Sequence, residues 1–135
     1  RLGKKNGKGF YLYDAAGKSL GLDHEIYEVL GVSAPSREVS DQECIERCVL
    51  PMINEASRAL DESVVLTPGE VDLGMIMGTG FPPFRGGLLR YADSLGAKHV
   101  MERLEHYSKT FGERFAPSAR IEKMASQDST FYQGS

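Results

Sequence analysis

The sequence predicts an all-α domain of about five helices behind a short extended leader, on three observations. Apolar residues recur at helical spacing from about residue 40 onward, no window alternates with period two for long, and β-branched residues are sparse. With 135 residues the chain is long enough to bury a core as one domain. Hydrophobic residues at 41% and charged residues at 26% give the balance of a globular protein. A net charge of −3 excludes a global pull toward nucleic acid or an anionic membrane. No apolar run is long enough to cross a bilayer, and the basic start RLGKKNGKGF lacks the apolar centre of a signal peptide.

The elements follow in order. Residues 1–13 read as a basic turn and then a short extended aromatic stretch, Phe10 to Tyr13, too short for a core of its own. YDAAGKSLG reads as a polar turn region, DHEIYEVLG as one or two helical turns ended by Gly31, and VSAPSREVS as a loop. Ser40 and Glu43 then form a capping box that opens a long helix. Its apolar stripe is Cys44, Ile45, Cys48, Val49, Met52, Ile53, Ala56 and Leu60, with Glu46, Arg47, Glu55 and Arg58 outside it and Pro51 bending it.

Thr67, Pro68 and Glu70 repeat the start pattern for a second helix, with Val71, Met75 and Met77 inward. Gly74 and Gly78 share one face of it, where a neighbouring helix can approach closely. A stiff turn, GFPPFRGG, leads into LLRYADSL, a helix ended by Gly96. AKHVMERLEHYSKTFG is amphipathic with Val100, Leu104 and Tyr107 inward, and PSARIEKMAS is a last helix starting at Pro117. The tail QDSTFYQGS reads as polar and partly frayed.

No catalytic constellation is visible in these residues. Gly78 and Gly80 follow a helix, whereas a dinucleotide loop needs a strand before it and a third glycine at fixed spacing. Of the histidines His24, His99 and His106, the last two share a helix face but have no carboxylate at metal-ligand spacing between them, so no metal is assigned. Cys44 and Cys48, four apart on a helix, read as small buried apolar side chains in a reducing compartment rather than as a disulfide.

LGKKNGKGFYLYD resembles the segment that closes the first C-terminal helical domain of 3-hydroxyacyl-CoA dehydrogenases. LPMINEASRALDE and TPGEVDLGMIMGTGFPPFRGGLLRYADSLGA resemble the second copy of that domain, found in the α subunits of multifunctional fatty acid β-oxidation enzymes. The ending FGERFAPSARIEKMASQDSTFYQ is similar to the end of those chains. The resemblance implies a helical bundle like the C-terminal domain of 6-phosphogluconate dehydrogenase. It divides the chain into the tail of a preceding repeat with linker (1–38), a second repeat (39–126) and a C-terminal tail (127–135). It implies a parent that hydrates enoyl-CoA and oxidises 3-hydroxyacyl-CoA with NAD, the cofactor being held by an upstream Rossmann domain and the catalytic His–Glu pair likewise lying upstream. It also implies a thiolase β subunit as partner. The implied compartment is the bacterial cytoplasm, with the mitochondrial matrix as alternative.

In the first repeat of the family an Asn that helps hold the substrate precedes a P-x-x-x-E-A motif. With Pro51, Glu55 and Ala56 aligned, that position is Glu46, beside a retained Arg47. An ionised Glu cannot donate as an Asn amide does, so the resemblance implies a repeat without the substrate role. The expected role is therefore docking, through Phe81, Pro82, Pro83, Phe84, Arg85, Gly86 and Gly87, onto the first repeat or, in the isolated chain, onto a second copy as a homodimer. The alternative is a domain that binds acyl-CoA itself, with Arg85, Lys98 and Arg103 meeting the CoA phosphates.

Overall fold

The computed structural model describes residues 1–34 and 37–132. Part of the loop at 32–40 and the last three residues lie outside the described residues. The chain forms two compact units, Arg1–Val39 and Ser40–Ser135.

The first unit is an antiparallel hairpin, β1 (Tyr11–Tyr13) and β2 (Ser19–Leu22), followed by a short helix, α1 (Glu25–Leu30). The second strand corrects the reading of residues 13–21 as turn alone. Asp14 makes the reversal, its carboxylate accepting the N–H groups of Ala16 and Lys18 at 2.9 Å each. Tyr13 then pairs with Ser19 after an irregularity at Leu12/Tyr13 that breaks the period-two pattern. Arg1 bonds to Asp23, Glu25 and the Gly9 carbonyl, and its guanidinium holds the Asp23 carboxyl below the usual range. Ile26 is the one buried apolar side chain among the described residues of this unit, while Phe10, Leu20 and Val29 are more than 60% exposed. A unit this small supplies little core of its own.

The second unit is built on α2 (Asp41–Asp61), with α3 (Pro68–Thr79), α4 (Leu88–Leu95), α5 (Ala97–Phe111) and α6 (Ala119–Gln127) packed around it. Short 3-10 turns at Pro83–Arg85 and Glu113–Phe115 connect α3 to α4 and α5 to α6. Leu50 and Ile53 of α2 meet Leu88, Ala92, Val100, Leu104, Tyr107, Phe115 and Ile121 in one core.

The starts are as the sequence predicts. The Ser40 hydroxyl accepts the Glu43 N–H, and Thr67 and Glu70 form a full capping box. The last helix starts at Ala119, two residues beyond the predicted Pro117, because Ser118 caps it through the Ile121 N–H.

The inward face of α2 is rotated from the predicted stripe. Glu46, Leu50, Ile53, Asn54, Ser57 and Leu60 are buried, whereas Cys44, Ile45 and Cys48 are exposed. Polar side chains turn inward because each finds partners there. Asn54 donates to the Ala116 carbonyl and accepts the Ser118 N–H, both at 2.8 Å. The Ser57 hydroxyl lies between the Asn54 carbonyl and the Ser118 hydroxyl. These bonds fix the α6 entrance to the middle of α2.

Two further expectations are corrected. Met77 is 78% exposed, and a Cβ built on Gly74 or Gly78 meets nothing within 4 Å, so among the described residues no helix packs on that face of α3. The described part of the tail is docked rather than frayed. The backbone N–H groups of Phe131 and Tyr132 donate to the Asp93 carboxylate at 2.8 and 3.0 Å.

Candidate functional site

The predicted docking turn is half core and half surface. Gly80 ends α3 in the left-handed region (φ 73°), and its N–H reaches back to the Met75 and Ile76 carbonyls. The chain then buries Phe81, which packs against the core with its ring 6.3 Å from that of Tyr91. Pro82 and Pro83 stiffen the next step, and Phe84 emerges 82% exposed. The Arg85 guanidinium lies 5.7 Å from the Phe84 ring and 5.2 Å from Tyr91. Of the two rings, only Phe84 is available to an outside surface.

Gly87 has a different job. Its backbone (φ 119°, ψ 176°) belongs to a region essentially reserved for glycine, and a Cβ there would lie 2.3 Å from Asp72 Cβ. That approach lets Asp72, 4% exposed, cap α4 from α3. Its carboxylate accepts the Leu89 N–H at 2.6 Å and the Arg90 N–H at 3.2 Å. It also accepts the Tyr132 hydroxyl at 2.7 Å, while the Arg90 guanidinium covers the Tyr132 ring at 3.6 Å. Sequence reading missed Asp72 because its partners lie 17 or more residues away, with no local pattern to mark them.

Burial, and next the hydrogen bond to Asp72, push the Tyr132 hydroxyl up to about 12. A raised pKa stabilises the folded state below the ordinary value of 10.0, and this contribution is lost as pH rises toward 12. Tyr132→Phe is therefore expected to cost about 1 kcal/mol at neutral pH. Urea titrations of both proteins at rising pH should show the gap closing above pH 10. A gap that persists unchanged there would mean the hydroxyl is not what holds the tail.

Glu46 is the centre of a second cluster. Its carboxylate accepts bonds from Arg103 Nε and Nη2 at 2.8 and 2.6 Å, from the Tyr107 hydroxyl at 2.8 Å and from Gln42 at 2.7 Å. Burial alone would raise its pKa, but the bonds from Gln42, Arg103 and Tyr107 outweigh that and hold the carboxyl below its usual range. Burial and the bond to Glu46 raise Tyr107, and the bond to Glu46 raises Arg103. The reading of Glu46 as lying outside the inward face is thus corrected: it staples α2 to α5.

Of the three cations suggested for CoA phosphates, Arg103 is committed to Glu46, Arg85 lies over two aromatic rings, and Lys98 is exposed on α5. They do not converge on one described cavity. Gly78-Thr79-Gly80 sits at the C-terminus of α3, where free carbonyls and the negative end of the helix dipole face out. These residues do not fit NAD, and no step of its chemistry is assigned to them. No group of three or more metal-ligating side chains occurs among the described residues.

Residues 44–131 match the family model described as 3-hydroxyacyl-CoA dehydrogenase, C-terminal domain. The chain is 49% identical over 133 residues to the fatty acid oxidation complex subunit alpha of Shewanella loihica, covering 98% of this chain and 19% of that protein. The protein of the same name from Vibrio parahaemolyticus is 42% identical over 132 residues, with 98% and 18% covered. The chain thus spans about a fifth of the length of the curated relatives it matches. Among solved structures, that of M. tuberculosis FadB2 superposes with a TM-score of 0.60 at 18% identity, covering 86% of this chain and 45% of that one, a likeness of fold. With the model matched across α2 to α6 and the helical fold shared, the chain belongs to the 3-hydroxyacyl-CoA dehydrogenase C-terminal domain family.

Proposed function

We propose that this chain is a structural and docking module of a fatty acid oxidation α-subunit-type protein and performs no chemistry itself. In this reading residues 39–126 are a second helical repeat, 1–38 the end of a preceding repeat with its linker, and 127–135 the tail. Glu46 carries the reading. At the position where the resemblance puts a substrate-holding Asn, its carboxylate is saturated by Gln42, Arg103 and Tyr107 of the same unit. Hydration of enoyl-CoA and oxidation of 3-hydroxyacyl-CoA then belong to other parts of the parent, with NAD on an upstream Rossmann domain. The partners are that domain and the first repeat of the same chain, with a thiolase β subunit in the complex. Bacterial relatives support the bacterial cytoplasm as the compartment, the mitochondrial matrix being the alternative.

The direct test is to offer the purified chain 3-hydroxyacyl-CoA and NAD. No NADH is expected, nor calorimetric heat with NAD or acyl-CoA at micromolar concentration. NADH formation would overturn the reading, and heat with acyl-CoA would favour a ligand-binding domain instead.

Docking rests on Phe84. Burying such a ring is worth about 1.5–3 kcal/mol, so the isolated chain has reason to pair with a second copy. Light scattering should find a wild-type dimer at high micromolar concentration and a Phe84→Ser monomer. A monomeric wild type reduces the turn to a helix connector.

A further inference from the structure

We propose that Cys44 and Cys48 form a two-thiol face that is S-thiolated by small anionic disulfides of the glutathione type. Both thiols are free and exposed, one helical turn apart on α2. They open on a cleft of about 470 Å³ shared with Arg47, Pro51, Arg114 and Phe115, a volume within the range of small-molecule sites. Both guanidiniums lie over aromatic rings at this cleft. Arg47 lies 4.0 Å over the Phe111 ring and bonds to Glu43. Arg114 lies 5.0 Å over Phe115 and has no carboxylate partner within 4 Å among the described residues. An exposed thiol pair beside two guanidinium groups suits a disulfide that carries carboxylates.

The reaction is an exchange. A thiolate of Cys44 or Cys48 attacks one sulfur of oxidised glutathione, the new S–S bond forms as the old one breaks, and the electron pair leaves on glutathione thiolate. The protein sulfur is oxidised to the disulfide level and one glutathione half is reduced. The proton lost by the attacking thiol passes to solvent. The carboxylates of the attached half then face Arg114 and Arg47. An internal Cys44–Cys48 disulfide does not compete, because the two Cβ atoms project in parallel from one helix face and bridging them would unwind α2. The chain has no third cysteine to expel the adduct.

The test follows intact mass while the reduced chain is incubated with excess oxidised glutathione or with cystamine, a cationic disulfide. Each rate is divided by the rate of the same reagent with a free small thiol. Glutathionyl adducts are expected, removed by dithiothreitol and absent from the Cys44→Ser, Cys48→Ser double variant. The normalised rate should be several-fold higher for glutathione than for cystamine. Arg114→Gln, at an exposed position, should lower that ratio without shifting the urea midpoint. Equal normalised rates, a ratio unmoved by Arg114→Gln, or loss of two hydrogens without an adduct would each overturn the proposal.

Discussion

Gly87→Ala is expected to cost the helical unit about 3–5 kcal/mol. Two penalties add. The backbone at φ 119° and ψ 176° costs a side-chain-bearing residue about 1–3 kcal/mol. The new methyl would also stand 2.3 Å from Asp72 Cβ and Cγ, and forcing an extra carbon into a packed site costs about 1–3 kcal/mol. Moving Asp72 aside is no escape, because it releases the N–H groups of Leu89 and Arg90 and the Tyr132 hydroxyl together. Asp72→Ala, which removes that acceptor directly, is expected to cost about 2–4 kcal/mol. Gly74→Ala is the control: it sits inside α3 with nothing within 4 Å of a new Cβ. There alanine should be neutral or stabilise by up to about 1 kcal/mol. Urea unfolding of the three variants checks the set. A Gly87→Ala midpoint close to wild type would show that the α3–α4 junction does not depend on this approach.

Glu46→Ala should lower stability by about 2–4 kcal/mol, since it strands Arg103 and the Tyr107 hydroxyl against the core. Arg103 keeps a side-chain exposure of 33%, so water takes over part of its lost partner and holds the cost below that of a fully buried pair. Glu46→Gln keeps the shape and one acceptor, and should cost less. Acid separates the two contributions. The Glu46 carboxyl is held below its ordinary value of 4.5, so its stabilisation is complete above that pH and is lost as pH falls through the folded-state value. The gap between wild type and Glu46→Gln should be flat above pH 4.5 and shrink below it. In the proposed parent, Glu46→Ala should leave the dehydrogenase rate within about tenfold, or 1.4 kcal/mol, of wild type when folding is intact. A larger fall would assign this residue to chemistry rather than to the staple between α2 and α5.

The limits of sequence reading fall at identifiable residues. Helix starts were legible because a cap and its partner are three residues apart: Ser40 with Glu43, Thr67 with Glu70. The stops at Gly31, Gly80 and Gly96 were legible because glycine takes the positive φ these ends require. The inward face of α5 was legible because Val100, Leu104 and the Tyr107 ring recur at helical spacing. On α2 the same rule misplaced Cys44 and Cys48 and overlooked Glu46, Asn54 and Ser57. Apolar periodicity measures the cost of burying a polar group but cannot see the distant partner that cancels it.

The sequence by itself determined the helical class, the order and approximate ends of the helices, the stiff turn at 80–87 and the resemblance to the family. All of these are written in neighbours within one or two helical turns. Only the tertiary structure decided which face of α2 is buried, that Phe81 packs inside while Phe84 stands out, and that Asp72 caps α4 and holds Tyr132. The reason is physical: each of those outcomes depends on a hydrogen bond or contact between residues that lie far apart along the chain. Such a contact has no period and no local motif, and it exists only once α2 to α6 have packed.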